Sequence, residues 1–176
     1  RGINILTGTF LDKISKSKDY ATVSIKGEKS FKADNVLIAV GVMGNVAKLG
    51  LKKMNIAANN GFICVNEYMQ TNVSNIYAIG DVCGPPLLAH VASFEGVLAV
   101  EHLSGKSVDP MSYDNVPACT YCEPEIASVG LTESEANKKG YKLKVGTFPF
   151  SGLGKALADG NRDGFVKVIY DQEYGE

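Results

Sequence analysis

Thr71-Asn72-Val73-Ser74-Asn75-Ile76-Tyr77-Ala78-Ile79-Gly80-Asp81 decides the reading of this chain, because a short apolar run passes straight into a glycine and then a lone carboxylate. Ile76 to Ile79 read as a buried strand of the parallel type. Gly80 has no Cβ and lets a ligand lie against the backbone, and Asp81 offers two acceptor oxygens at the strand's carboxyl end. Open α/β sheets bind ligands at such strand ends. The same residues taken alone also describe a strand followed by a turn acid, since Gly and Asp both favour turns.

Downstream, Val82-Cys83-Gly84-Pro85-Pro86-Leu87-Leu88-Ala89-His90 is a Gly/Pro turn that opens an apolar segment from Leu88 to Leu103, closed by Ser104-Gly105. The pattern predicts a helix whose start faces the ligand: proline is tolerated just ahead of a helix, Gly105 suits the position after its end, and His102 sits where positive charge favours the C-terminal dipole. Ala89, Ala92, Gly96 and Ala99 form a small-residue face for close approach, while Val97, Val100 and Leu103 fill a core side. A helix this apolar is expected to be buried, its free N–H groups aimed at whatever Asp81 holds and favouring an electron-rich or anionic group there.

These residues resemble the second flavin-contact region of the pyridine nucleotide-disulfide oxidoreductases, in which a Thr-Asn-x-x-x-Ile-Tyr-Ala-Ile-Gly-Asp run supplies the Asp that bonds the ribitol of FAD. Here that position is Asp81. The lipoamide dehydrogenase branch of the family follows with Met-Leu-Ala-His at the helix start, near the flavin pyrimidine edge, and this chain has Leu87-Leu88-Ala89-His90, with Leu in place of Met. Upstream, Ala33-Asp34-Asn35-Val36-Leu37-Ile38-Ala39-Val40-Gly41 is similar to the strand that ends the NAD-binding domain. The family then continues Gly-Arg-x-Pro-Asn, where this chain reads Gly41-Val42-Met43-Gly44-Asn45; Gly41 still suits a close pass on the nicotinamide side. Downstream, the run from Val116 to Thr132 is similar to the opening of the family's dimer-interface domain, with Cys122 where His is common.

The resemblance implies an α/β and α+β chain: the end of an NAD-binding domain over residues 1–40, a partial FAD/NAD(P)-binding three-layer (β-β-α) central region over 41–108, and an incomplete α+β dimerisation domain over 109–176. It implies FAD and NAD as cofactors, contacted by Gly41, Gly80, Asp81, Leu87, Leu88, Ala89 and His90. The implied activity is oxidation of protein-bound dihydrolipoamide, with electrons passing through a redox disulfide and FAD to NAD+. The implied partners are a second copy through the C-terminal domain and the lipoyl domains of 2-oxoacid dehydrogenase complexes, in the cytoplasm or a mitochondrial matrix. Another FAD-dependent disulfide reductase, an NADH oxidase, or an interaction module alone are the alternatives.

Several of the family's parts have no counterpart in the 176 residues. No Gly-x-Gly-x-x-Gly follows a strand, so neither dinucleotide pyrophosphate loop is found. Cys64, Cys83, Cys119 and Cys122 include no Cys-x4-Cys pair, and both histidines, His90 and His102, lie on the expected helix rather than in a His-Pro dipeptide. No catalytic residue is therefore assigned. With Arg1 at its start and an apolar strand just before Tyr174-Gly175-Glu176, the chain is expected to be a piece that by itself neither holds FAD tightly nor turns over NADH.

Composition narrows the classes further. Hydrophobic residues at 45% and charged residues at 21% are ordinary globular values. Eighteen basic against nineteen acidic residues leave a net charge of −1 with no polybasic block, which argues against nucleic acid or an anionic membrane surface as partner. No uncharged run approaches the ~18 residues of a membrane span, and four cysteines in a chain of this size make no disulfide framework.

Along the chain, Ile3 to Leu6, Thr9 to Ile14, Ala21 to Ile25 and Val36 to Ala39 read as a β-meander, broken at Ser15-Lys16-Ser17-Lys18-Asp19 and Lys26-Gly27-Glu28-Lys29. Asn59-Asn60-Gly61 signals a hairpin ahead of a strand from Phe62 to Val65. Ile126 to Leu131, Tyr141 to Phe148 and Phe165 to Tyr170 are further strands, and Thr132-Glu133-Ser134-Glu135 is a capping box opening a short helix that Gly140 ends. Cys119-x-x-Cys122 lies in strand-like sequence without a second ligand pair, so a structural role is expected and no metal is assigned. Ser151-Gly152-Leu153-Gly154-Lys155-Ala156 faintly resembles a phosphate loop but lacks the spacing, and reads as surface loop. His90 has two readings: a backbone contact to flavin, or a first-turn polar cap.

Overall fold

Residues 2–26 and 29–176 are described by a computed structural model, in which the chain divides into two compact units, Arg1–Val42 and Met43–Glu176. In the first unit, β1 (Leu11–Lys16), β2 (Ala21–Ile25) and β3 (Ser30–Ala33) form an antiparallel meander. Ile14 pairs with Val23, and Val23 with Phe31. The first turn is closed by Ser17, whose amide and hydroxyl both donate to Tyr20 O, and Lys32 Nζ lies 4.4 Å from the Tyr20 ring centroid. Gly27 and Glu28 of the second expected break lie outside the described residues.

Two expected strands of that meander are absent, and β3 was not anticipated. Ile3 to Leu6 and Val36 to Ala39 are irregular and exposed, Leu37 at 91%. Apolar β-branched sequence makes a strand only when a neighbour accepts its backbone bonds, and no described segment runs beside either one. The strand β1 instead continues through polar Ser15 and Lys16, because the turn that reverses it begins only at Ser17.

In the second unit a single 3-10 turn, Leu51–Met54, precedes a hairpin of β4 (Ala58–Asn59) and β5 (Phe62–Ile63). Asn60 (φ 48°) and Gly61 (φ 82°) occupy its two central positions, the conformation that Asn-Gly tolerates best. Ile76 to Ile79 is not a parallel strand. Its only ladder contact among the described residues is an antiparallel bridge between Tyr77 and Gln70, and Ile79 is exposed. The segment is held instead by its polar neighbours: Thr71, buried, donates its hydroxyl to Val73 O and Ile76 O and accepts from the Val73 amide. Asn72 accepts from the Ala57 amide at 2.8 Å and donates to Asn55 O at 2.7 Å. Ala78 then joins Ile56 and Ile63 in one core cluster, while Met69 joins Leu98 and Ala99 in another.

The predicted long helix is α1 (Ala89–Leu103). Gly105, at φ 80°, donates to His102 O and Lys106 to Glu101 O, the two bonds of a Schellman end. Its burial differs from expectation. Only the stripe Val91, Glu95, Leu98 and Ala99 is buried, whereas Val97, Val100 and Leu103 are exposed and Ala89 is too. Those spacings of four, seven and eight residues define one helical face, and the described neighbours cover only that face.

Beyond α1 come β6 (Ala118–Thr120) and β7 (Ile126–Ser128), paired antiparallel, then α2 (Glu133–Lys138) and β8 (Leu143–Pro149). A 3-10 turn Phe150–Gly152, the helix α3 (Gly154–Ala158) and β9 (Phe165–Asp171) complete the chain, β8 and β9 forming a regular ribbon. The strand from Ile126 ends at Ser128, short of Leu131. The capping box forms as read, with Thr132 accepting from the Glu135 amide and Glu135 from the Thr132 amide. The Ser151 to Ala156 stretch is not a loop throughout, since α3 starts at Gly154 and Lys155 is ion-paired with Asp159 at 2.7 Å.

The Asn72 clamp yields a test. Asn72→Ala removes both bonds to the 55–57 segment, and the Ala57 amide is expected to exchange with solvent about tenfold faster, a net bond being worth about 0.5–1.5 kcal/mol. Unchanged exchange measured by NMR or mass spectrometry would show that the clamp adds no local stability.

Candidate functional site

Gly80 and Asp81 sit in a 3-10 turn, Gly80–Cys83, that rests against α1. Gly80 has φ 73°, and a Cβ added there would lie 3.3 Å from Ala92 Cβ. A Cβ at Gly96 would lie 3.2 Å from Ile79 Cδ1. The small residues Ala92 and Gly96 thus let the turn approach the helix, and the missing Cβ of Gly80 faces α1 rather than a ligand.

The Gly80 amide donates to Glu95 Oε2 at 2.7 Å, and the Tyr113 hydroxyl donates to Glu95 Oε1 at 2.8 Å. Glu95 is 4% exposed, so these two bonds replace the water its oxygens lose. Its charge and the surrounding burial act on two neighbours. Burial first, and Glu95 second, push the Cys83 thiol up to about 11. Burial, then the bond to Glu95, then the charges of Glu95 and Cys83 push the Tyr113 phenol well above its ordinary range. Neither Glu95 nor Tyr113 was anticipated from sequence. The signal for Glu95 was present as the single acid within the apolar stripe of α1.

Asp81, by contrast, is exposed, and among the described residues no group bonds its carboxylate. The start of α1 lies next to it in the chain, through Gly84 to Pro86. Leu88 is extended and offers no side-chain cap, the first turn holds no acid, and the first amide to find an intrahelical acceptor is that of Ala92, at Leu88 O. Among the described residues none accepts from the amides of Ala89 and His90. Leu87 and Leu88 are half-buried. The His90 imidazole neither caps its own helix nor stays free, since Nε2 lies 3.1 Å from Pro117 O. An exposed, unpartnered carboxylate can accept from ligand hydroxyls, and an uncapped helix start can stabilise an anionic edge.

Gly41 belongs to the other unit; it has φ 107° and open space where a Cβ would stand, so backbone conformation alone calls for glycine. A hollow of about 680 Å³ is lined by residues including Phe62, Cys64, Met69, Cys83, Met111 and Tyr113, and not by Asp81 or Leu87 to His90. Cys119 and Cys122 are exposed free thiols, Cys122 Sγ donating to Pro124 O. Among the described residues no cluster of His, Cys, Asp or Glu could hold a metal, and no helix is long and apolar enough to cross a membrane. A second feature not anticipated is the His102 end of α1, where Tyr68 stacks at 4.6 Å and the Tyr77 hydroxyl lies 2.8 Å from Nδ1.

This chain is similar to known proteins over almost its whole length. Residues 1–96 match the family described as pyridine nucleotide-disulphide oxidoreductase, and residues 116–176 match the dimerisation domain of the same family. The dihydrolipoyl dehydrogenases of Zymomonas mobilis and Bacillus subtilis are 43% and 45% identical over 99% and 98% of this chain. This chain spans 39% and 38% of their lengths. The crystal structure of LpdA from Mycobacterium tuberculosis superposes with a TM-score of 0.89 at 25% identity, covering 98% of this chain and 38% of its own. The HOCl-induced flavoprotein disulfide reductase RclA from Escherichia coli superposes with 0.83 at 26% identity, covering 92% and 38%.

The raised Cys83 thiol can be checked directly. At a pH of about 8.5, iodoacetamide is expected to label Cys83 on the order of a hundredfold more slowly than an unstructured cysteine peptide, because the thiolate is the reacting form. The Cys83 rate should climb only as the pH approaches about 11. A Cys83 labelling rate equal to that of the unstructured peptide, read by mass spectrometry, would contradict this.

Proposed function

The chain belongs to the pyridine nucleotide-disulphide oxidoreductase family, and from that premise we propose that the gene product carrying it is a dihydrolipoyl dehydrogenase, in which this chain supplies one wall of the flavin site and part of the dimerisation region. The observation that carries the proposal is Asp81: an exposed carboxylate without a protein partner among the described residues, in the turn that rests against α1 and leads through Gly84 to Pro86 to its uncapped start. The identities of 43–45% over nearly the whole chain to two dihydrolipoyl dehydrogenases support the choice of activity. The Leu88-Ala89-His90 match supports it from the residues.

In this reading Asp81 accepts hydrogen bonds from the ribitol hydroxyls of FAD, and the free amides of Ala89 and His90 face the electron-rich pyrimidine edge, where the helix dipole favours negative charge. Leu87 and Leu88 shield that edge from water. The Pro117 carbonyl fixes the His90 ring, so that His90 acts through its amide. Gly41 passes close to the nicotinamide side of NAD. When bound, FAD supplies a two-electron relay between a dithiol and the nicotinamide. The redox disulfide and the acid–base pair that the reaction needs have no counterpart among these 176 residues, so no catalytic role is assigned within the chain.

We place the functional boundaries near 40 and 108, with 109–176 forming the contact to a second copy; the match of residues 116–176 to the dimerisation domain supports that contact. The lipoyl domains of a 2-oxoacid dehydrogenase complex are the proposed electron source, in the cytoplasm or a mitochondrial matrix. A second reading, another flavoprotein disulfide reductase, is favoured by the likeness to RclA.

Substitution at Asp81 tests the assignment in the gene product that carries this chain. Asp81→Ala should weaken FAD retention by roughly 10- to 100-fold, the loss of a charge-assisted bond of about 1.5–3 kcal/mol, and Asp81→Asn by less. Flavin-to-protein absorbance after gel filtration reads the effect, and NADH formation from dihydrolipoamide reads the activity. Equal flavin in all three proteins would make Asp81 a turn residue only, and a flavoprotein inactive on dihydrolipoamide would favour the second reading.

A further inference from the structure

We infer that Glu95 is the positioning residue of the flavin wall: it clamps the Gly80–Asp81 turn to α1 and so aims the Asp81 carboxylate. The inference rests on the reading of Asp81 given above, and it adds a residue that touches neither flavin nor substrate.

The geometry is specific. Glu95 lies in the middle of the buried stripe of α1, flanked by Val91, Leu98 and Ala99, where the pattern calls for an apolar side chain. A buried carboxylate is retained there with both oxygens occupied, Oε2 by the Gly80 amide and Oε1 by the Tyr113 hydroxyl. The Gly80 amide is the last backbone donor before Asp81. Gly80 also holds φ 73°, and a Cβ there would meet Ala92 Cβ at 3.3 Å, so its amide bond to Glu95 and this close approach to α1 hold the Ile79–Gly80 peptide and the glycine from which Asp81 follows. The exposed carboxylate has no bond of its own among the described residues, so the placement of the backbone that carries it depends on that anchored glycine. Charge-assisted bonds of this kind are about twice as strong as neutral ones, which suits a turn that has no ladder partner. Tyr113 has a second role. By occupying Oε1 it leaves Oε2 as the oxygen that reaches the turn, and it lies three positions before the segment that matches the dimerisation domain.

The test uses the gene product that carries this chain. Glu95→Ala is expected to abolish protection of the Gly80 amide against hydrogen exchange and to weaken FAD retention about tenfold, approaching the effect of Asp81→Ala. Glu95→Gln keeps an acceptor for Gly80 and presents its NH2 to the Tyr113 oxygen, so it should restore both readouts and the visible absorbance band of the bound flavin. A merely space-filling role would be rescued by Glu95→Leu or Glu95→Met as well as by Gln, whereas the clamp is rescued by Gln alone. Should the alanine variant fail to fold, Tyr113→Phe carries the comparison: it keeps the carboxylate, frees Oε1, and should weaken FAD by a few fold with Gly80 still partly protected. Gly80 protection unchanged in Glu95→Ala, or in its absence Tyr113→Phe and Glu95→Gln both indistinguishable from Glu95→Leu, overturns the inference. Protection lost while flavin content stays full in both Glu95→Ala and Asp81→Ala supports Glu95 as the clamp and overturns the reading of Asp81 instead.

Discussion

A carboxylate withdrawn from water must have its oxygens filled by the protein, and at Glu95 that requirement ties three stretches of chain together. The helix α1 contributes the acid, the 3-10 turn contributes the Gly80 amide, and the segment ahead of β6 contributes the Tyr113 hydroxyl. Removing either donor would leave a buried acceptor with neither solvent nor partner, a cost of roughly 1–3 kcal/mol and more for a charged group. Burial, and after it the same charge, push the half-buried Cys83 thiol up to about 11. Much of what surrounds the candidate site is therefore arranged around one buried side chain.

Local chemistry was the part of the fold that the sequence made legible. The Asn60-Gly61 hairpin, the capping box at Thr132 and Glu135, and the glycine stops at Gly105 and Gly140 each depend on a few adjacent residues, and all four are found. The strands that failed depend on distant ones. Ile3 to Leu6, Val36 to Ala39 and Ile76 to Ile79 have strand composition, but composition does not supply the facing backbone that a ladder needs; among the described residues the first two pair with nothing and the third makes a single bridge, Tyr77 to Gln70. The helix α1 shows the same division: its ends are set locally and were placed correctly, whereas the face it buries is set by neighbours, which cover Val91, Leu98 and Ala99 and leave Val97, Val100 and Leu103 in solvent.

For the site, Asp81 was recognisable because its pattern carries a family resemblance, yet the physical roles around it shifted once geometry was known. Thr71 and Asn72, read as part of a ligand motif, spend their hydrogen bonds on backbone at residues 55, 57, 73 and 76. The His90 ring is taken up by Pro117, which no local rule indicates, because the two are joined only by the path of the chain beyond α1. Glu95 was hidden by the mean character of its helix: α1 is apolar as a whole, and that average masks the single charged member of one stripe, where the information lies.

Gly80 combines two independent demands, a left-handed backbone and close contact with Ala92, and this bears on how the turn can change over evolutionary time. Trimming Ala92 to glycine would make room for a Cβ at position 80 but would leave the φ of 73° as unfavourable as before, by about 1–2 kcal/mol for an ordinary L-residue. Relaxing the backbone to a right-handed conformation would turn the amide away from Glu95. Neither single step opens a path to the other, so the position behaves as an epistatic trap: drift in the facing helix residue cannot prepare the way for a side chain at Gly80, and a lineage that carries this turn keeps its glycine unless the turn, the acid and the helix contact are replaced together.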